Sequence, residues 1–189
     1  MGAGLRRAGW TVVGYDPDPD TLRVALEGGL VDETADSIDD IVEDSFDLLV
    51  VAAPPTASIE ILSSLSWTHP IMDVAGVKVP VLSAAASLPG FVGTHPMAGR
   101  ETSGPTAASG ALFHGASWVV AEGAQPLATD LVCDVIRALG ARPVFMSAEQ
   151  HDRAVALISH LPQLVAGSLL SAAADRPESL DLAAGSFRD

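Results

Sequence analysis

Phe46-Asp47-Leu48-Leu49-Val50-Val51-Ala52, followed at once by Ala53-Pro54-Pro55, is the stretch that decides how this chain folds. Its near-continuous apolar character, in place of strict alternation, marks a strand buried on both faces, and such strands belong to parallel sheets covered by helices. Pro54 and Pro55 end it sharply, since proline has no N–H to give a ladder. A strand end of this kind, opening into the loop before a helix over 59–65, is where doubly wound sheets place cofactor and substrate.

Upstream, Trp10–Tyr15 predicts an earlier short strand, ended by Asp16, Pro17 and Pro19. Met1–Gly9 before it reads as the end of a helix, with Arg6 and Arg7 in the last turn and Gly9 as its left-handed stop. Helix, strand, acidic residue is the order of a dinucleotide-binding βαβ unit, in which the carboxylate ending the second strand accepts hydrogen bonds from the adenosine ribose. Asp16 stands in that place, and because a carboxylate there repels a 2′-phosphate, NAD is expected rather than NADP. The Gly-x-Gly-x-x-Gly turn belongs roughly 20 residues before the acid, so it is expected upstream of Met1; Gly2-Ala3-Gly4 reads as helix interior. A short helix over 21–27, stopped by Gly28-Gly29, and an acidic helix over 36–44 with a solvated face fill the space before Phe46.

Downstream, Pro70–Val74 predicts the next strand, running into Ala75-Gly76-Val77-Lys78. The only lysine in the chain thus lies at a strand end, either as a solvated side chain or as a cation facing a bound acid or cofactor. After a short helix, the apolar run Leu88–Val92 delivers a polar, glycine-punctuated loop over 92–105 that holds His95, Arg100 and Glu101. A histidine off a strand end, with an arginine and a glutamate close behind, reads as an active-site loop; a Pro/Gly turn with a surface histidine is the alternative. Trp118–Ala121 continues the sheet, a helix spans 128–139, and Arg142–Met146 is a last strand whose Pro143 marks an edge. Ser147-x-x-Gln150 is a capping box opening a helix to about Leu161, where Pro162 kinks or interrupts it. The expected fold is α/β: a doubly wound, mostly parallel Rossmann-type sheet lacking its first strand over residues 1–147, then the beginning of an all-α domain over 148–189.

With 24 acidic against 10 basic residues the 189-residue chain has a formal charge of −14, which argues against nucleic acid or an anionic membrane as partner. No apolar run reads as long enough to span a bilayer, and the N-terminus carries no export signal. A single cysteine, Cys133, fits a reducing cytoplasm. No metal ligands are expected.

Taken together, Leu5–Gly9 through Gly14-Tyr15-Asp16, Ala53-Pro54-Pro55, Asp73–Lys78, His95-Pro96-Met97-Ala98-Gly99 through Ser103-Gly104, Glu149–Arg153, Ser159-His160-Leu161-Pro162 and Ala184–Asp189 resemble the prephenate and arogenate dehydrogenases of tyrosine biosynthesis. The resemblance implies oxidative decarboxylation of prephenate to 4-hydroxyphenylpyruvate, or of arogenate to tyrosine, on an NAD-binding domain followed by a helical dimerisation domain. It implies that His95 is the catalytic residue and that Glu101, Ser159, His160, Gln163 and Gly185 line the substrate. On the cofactor side it implies Asp16, Pro54, Gly76 and Lys78.

Three departures bear on activity. Family members carry Asp-x-Gly-Ser-x-Lys where this chain has Asp73-Val74-Ala75-Gly76-Val77-Lys78, so a serine hydroxyl is absent at position 76. A second histidine often follows Ser-His-Leu-Pro, and Gln163 stands there instead, with no charge near neutrality. A Thr-Arg segment whose arginine binds a substrate carboxylate is expected beyond Asp189. A catalytically impaired remnant of the family is accordingly an open alternative to a prephenate or an arogenate dehydrogenase.

Overall fold

A computed structural model describes residues 1–38, 41, 45–100, 102, 104–176 and 178. The chain divides into two compact units, Met1–His151 and Asp152–Asp189.

In the first unit strands and helices alternate: α1 (Gly2–Arg7), β1 (Val13–Gly14), α2 (Pro19–Glu27), β2 (Glu33–Thr34), β3 (Leu49–Val51), α3 (Pro55–Ser64), β4 (Ile71–Asp73), α4 (Val79–Ala84), β5 (Phe91–Val92), β6 (Thr94–Pro96), β7 (Ser117–Ala121), α5 (Pro126–Ala138) and β8 (Arg142–Met146). β1 pairs in parallel with β2, and β3, β4 and β5 form a parallel set with Val51 opposite Asp73 and Met72 opposite Val92. Among the described residues β1 and β3 each pair on one side only, the pattern of a doubly wound sheet without the strand that separates them. Gly93 breaks one extended stretch into β5 and β6. β6 then runs antiparallel to β7, which pairs in parallel with β8, so the edge position expected for Pro143 is observed.

The apolar runs make sense once the two faces are separated. In a strand successive side chains point to opposite faces. Met72 and Val92 join a core with Trp118, Val120, Val132 and Ile136 beneath α5, while their neighbours Ile71 and Phe91 join another with Leu62 of α3 and Val81 of α4. Both faces are dry, so neither residue of a pair can be polar. Ile71, Met72, Leu62, Val81, Val92, Val120, Val132 and Ile136 are all fully buried, each worth about 1.5–3 kcal/mol of transfer free energy.

The N-terminal reading holds. α1 is a helix through Gly2 and Gly4, and Gly9 follows with φ 90°. The glycines of α1 serve close approach: a Cβ on Gly2 would sit 2.2 Å from the Leu30 carbonyl oxygen, and one on Gly4 would sit 2.6 Å from Leu139 Cδ2 and 3.2 Å from the Gly110 oxygen. Asp18 caps α2, accepting the Asp20 N–H at 3.1 Å and the Thr21 hydroxyl at 2.8 Å. Those bonds, the Thr21 hydroxyl above all, hold its carboxyl below the usual carboxylate range. Most of the acidic segment read as a helix over 36–44 lies outside the described residues.

Two expectations are corrected. The loop read over 92–105 begins as a strand, because residues 94–96 find a ladder on β7 with His95 opposite Val119. The helix that opens at Ser147 is interrupted just ahead of Pro162, as expected. α6 (Ala148–Val155) passes into a π-helical turn, Ala156–His160, and then α7 (Leu161–Ala174), whose first turn holds Pro162 where its missing N–H costs little. Together they make a helix of 27 residues that is long and apolar enough, by length and composition alone, to cross a membrane, which overturns the reading that no apolar run reaches that length. His160, Pro162 and Gln163 disguised it by breaking the hydrophobic pattern. Leu157, Ile158, Leu161, Leu164, Val165, Leu169 and Leu170 on it are exposed.

Candidate active site

β4 ends in Asp73, whose carboxyl group lies out of reach of solvent. A buried carboxylate needs partners, and it has three. Its Oδ1 accepts the Thr94 N–H at 2.8 Å, and its Oδ2 accepts the Ala75 N–H at 3.0 Å and the ammonium of Lys78. Burial pushes the Asp73 carboxyl up, against the downward pull of the Lys78 charge and the backbone donors. Lys78 is itself fully buried and donates a second bond to the Thr94 carbonyl at 2.6 Å.

Thr94 is therefore held on every side. Its N–H goes to Asp73, its carbonyl receives Lys78, and its hydroxyl donates to the Asp73 carbonyl while accepting Trp118 Nε1–H at 2.9 Å. Packing of this kind fixes the backbone of the following residue, which is His95. The half-buried imidazole of His95 places Nδ1 2.8 Å from Nε2 of His151, with the two rings nearly perpendicular at 80°. Its other nitrogen faces Gly76: a Cβ built there would stand 3.6 Å from Nε2 and 3.7 Å from Cε1.

His151 reaches this position through the start of α6. Ser147 and Gln150 form the expected capping box, Gln150 N–H to Ser147 Oγ at 3.2 Å and Ser147 N–H to Gln150 Oε1 at 3.0 Å. The His151 N–H then donates to the Ser147 carbonyl at 3.0 Å. The ring that follows is 1% exposed.

Of the residues singled out in the sequence, the structure thus brings Gly76 and His95 together. Lys78 departs from the cofactor-facing cation that was expected: its head is withdrawn from solvent into the Asp73–Thr94 cluster, where it holds the strand under His95. Asp16 follows β1 and accepts the Asp18 N–H on Oδ1 at 2.9 Å, and Pro54 caps α3, with its carbonyl taking the Ser58 N–H at 2.8 Å. Ser159 and His160 lie in the π-helical turn and Gln163 in the first turn of α7, all exposed in the second unit. Glu101 and Gly185 are outside the described residues. Sequence reasoning did not single out His151 as a site residue; its place within the family-like segment Glu149–Arg153 was the available signal.

Residues 1–145 match the family model described as prephenate dehydrogenase, nucleotide-binding domain, and residues 147–189 match that of the prephenate dehydrogenase dimerization domain. The chain is 35% identical over 175 residues to a probable prephenate dehydrogenase, NovF, of Streptomyces niveus, covering 87% of this chain and 46% of that protein. It spans about half the length of the curated relatives it matches. The crystal structure of prephenate dehydrogenase from A. aeolicus in complex with hydroxyphenyl propionate and NAD+ superimposes with a TM-score of 0.83 at 29% identity, over 93% of this chain and 65% of that one. Synechocystis arogenate dehydrogenase gives 0.81 at 30% identity, over all of this chain and 72% of the other. Two family models meeting between β8 and α6, and a doubly wound sheet that carries the His-Pro segment beside the end of β4, lead to one assignment: the chain belongs to the prephenate dehydrogenase family.

Proposed function

We propose that this chain carries the dinucleotide-binding part and the catalytic base of an NAD-dependent prephenate dehydrogenase. The observation that supports it best is the setting of His95, tied to His151 through Nδ1 and presenting Nε2 toward Gly76, just past the carboxyl end of β4. In doubly wound sheets that edge is the ligand edge.

The residues present fit a dinucleotide in part. Asp16 follows β1, the place of a ribose-binding carboxylate, with Oδ1 turned into its own loop, and Pro54 and Gly76 follow β3 and β4 at their carboxyl ends. Bound NAD would supply the hydride acceptor. His95 Nε2 takes the proton of the ring hydroxyl as hydride leaves the carbon that bears it. Loss of the ring carboxylate as carbon dioxide then sends its electron pair through the diene to the ketone oxygen, and the phenol regains its proton from His95. Aromatisation drives the sequence, so the protein's task is to position and to hold one proton.

Glu101, Ser159, His160, Gln163 and Gly185 are assigned to the substrate side, and a homodimer is assigned to the exposed apolar face of the long helix. Lone Cys133, buried in the core, suits a cytoplasmic protein. Arogenate is the second reading, favoured by the likeness to the Synechocystis enzyme. Incubating the protein with NAD and either prephenate or arogenate, and following NADH, is the test. Turnover of one substrate that vanishes in His95→Asn supports the assignment; a folded protein that reduces no NAD with either overturns it.

A further inference from the structure

We infer that His151 is a positioning residue for His95: it selects which imidazole nitrogen carries the proton, and so makes His95 a base rather than a donor. The inference rests on the reading of His95 as the base.

Only one hydrogen fits between His95 Nδ1 and His151 Nε2, 2.8 Å apart, when both rings are neutral. If His151 donates, His95 carries its own proton on Nε2 and presents a donor toward Gly76. If His95 donates from Nδ1, its Nε2 holds a lone pair on that side and can accept a proton. The bond made by one ring nitrogen sets the state of the other. Base chemistry at Nε2 therefore requires His151 as acceptor.

The surroundings suit that role. His151 is 1% exposed, so water does not compete for Nε2, and the capping box at Ser147 and Gln150 sets the turn from which the ring projects. His95 is fixed from the other side by the ladder to Val119 and by the bonds that immobilise Thr94. When Nε2 takes a proton, the Nδ1–H···Nε2 bond becomes charge-assisted and strengthens.

Heteronuclear NMR of the imidazole nitrogens, together with NAD-linked kinetics, tests this on the protein and on His151→Phe and His151→Gln. The glutamine retains a carbonyl acceptor near the site of Nε2, and the phenylalanine retains the ring without it. Expected are an Nδ1–H tautomer for His95 in the wild type and in His151→Gln, its loss in His151→Phe, and a kcat lower by at least tenfold in His151→Phe with KM within twofold. Substantial recovery is expected in His151→Gln. An Nε2–H tautomer in the wild type, or kcat within twofold in a folded His151→Phe, overturns the inference. A protein inactive on prephenate and arogenate that still shows the Nδ1–H tautomer, lost in His151→Phe, upholds the pairing and removes the substrate assignment instead.

Discussion

Lys78 and Asp73, five residues apart in sequence, form an ion pair in which neither side chain touches solvent. Such a pair adds little over an apolar substitute, but breaking it strands a buried charge. Lys78→Met should therefore cost about 3–5 kcal/mol, because it leaves the Asp73 carboxylate and the Thr94 carbonyl without their shared donor. Urea unfolding measures the loss; a variant within ~1 kcal/mol of wild type would mean that the cluster is not structural.

Removing the proposed base is the sharpest chemical test. His95→Asn should lower kcat by about 10²–10⁴ while leaving the fold unchanged, since the residue's backbone is held by β7 and by its neighbour Thr94. Circular dichroism and NADH formation measure the two halves of that statement.

Position 76 is open to a hydroxyl. The backbone there is not left-handed, and among the described residues a Cβ meets only the His95 ring, at ordinary van der Waals distance of 3.6 Å. Gly76→Ser should fold as well as wild type and bring an oxygen near Nε2. One hydrogen bond strengthened in the transition state is worth about tenfold in rate, so kcat should rise by roughly that factor; a fall would show that the space serves the substrate.

Two glycines separate hard from soft neighbours. A Cβ on Gly90 would lie 2.5 Å from the His69 carbonyl oxygen and 2.9 Å from its carbon, and backbone cannot swing aside, so Gly90→Ala should destabilise by about 1–3 kcal/mol. On Gly110 the nearest atoms to a Cβ belong to the Arg7 guanidinium, at 1.9 Å, and an exposed arginine can move. Gly110→Ala should be close to neutral in thermal melts.

Asp32 links β1 to α1 across the first parallel pair. The Val12 N–H foremost, and then Arg6, hold its carboxyl below the ordinary value of 3.8. A depressed carboxyl contributes stability above its unfolded pKa and loses it as pH falls through the folded one. Stability should therefore drop more steeply below pH 3.8 in the wild type than in Asp32→Asn, as read from unfolding midpoints across the acid range.

What the sequence made legible was local. Apolar runs located β3, β4 and β7 because strands buried on both faces leave no room for polar residues, and Gly9 and Ser147 marked helix ends through their own backbone chemistry. What it hid was set by distant partners. His95 looked like a loop residue because the strand that pairs with it, Ser117–Ala121, comes more than twenty positions later. Lys78 looked like a solvated or ligand-facing cation because its burial depends on β6 closing over it. The partner of His95 lies 56 positions away on a helix, a separation no spacing rule detects.

The two family models meet at residues 145 and 147, and that seam runs between His95 and His151. A nucleotide-binding domain trimmed at the seam keeps His95, the proposed base, and loses the ring against which it is set. The proposed site is for that reason not a portable module, and a chimera that exchanges everything after β8 must import a matching histidine along with the new helices.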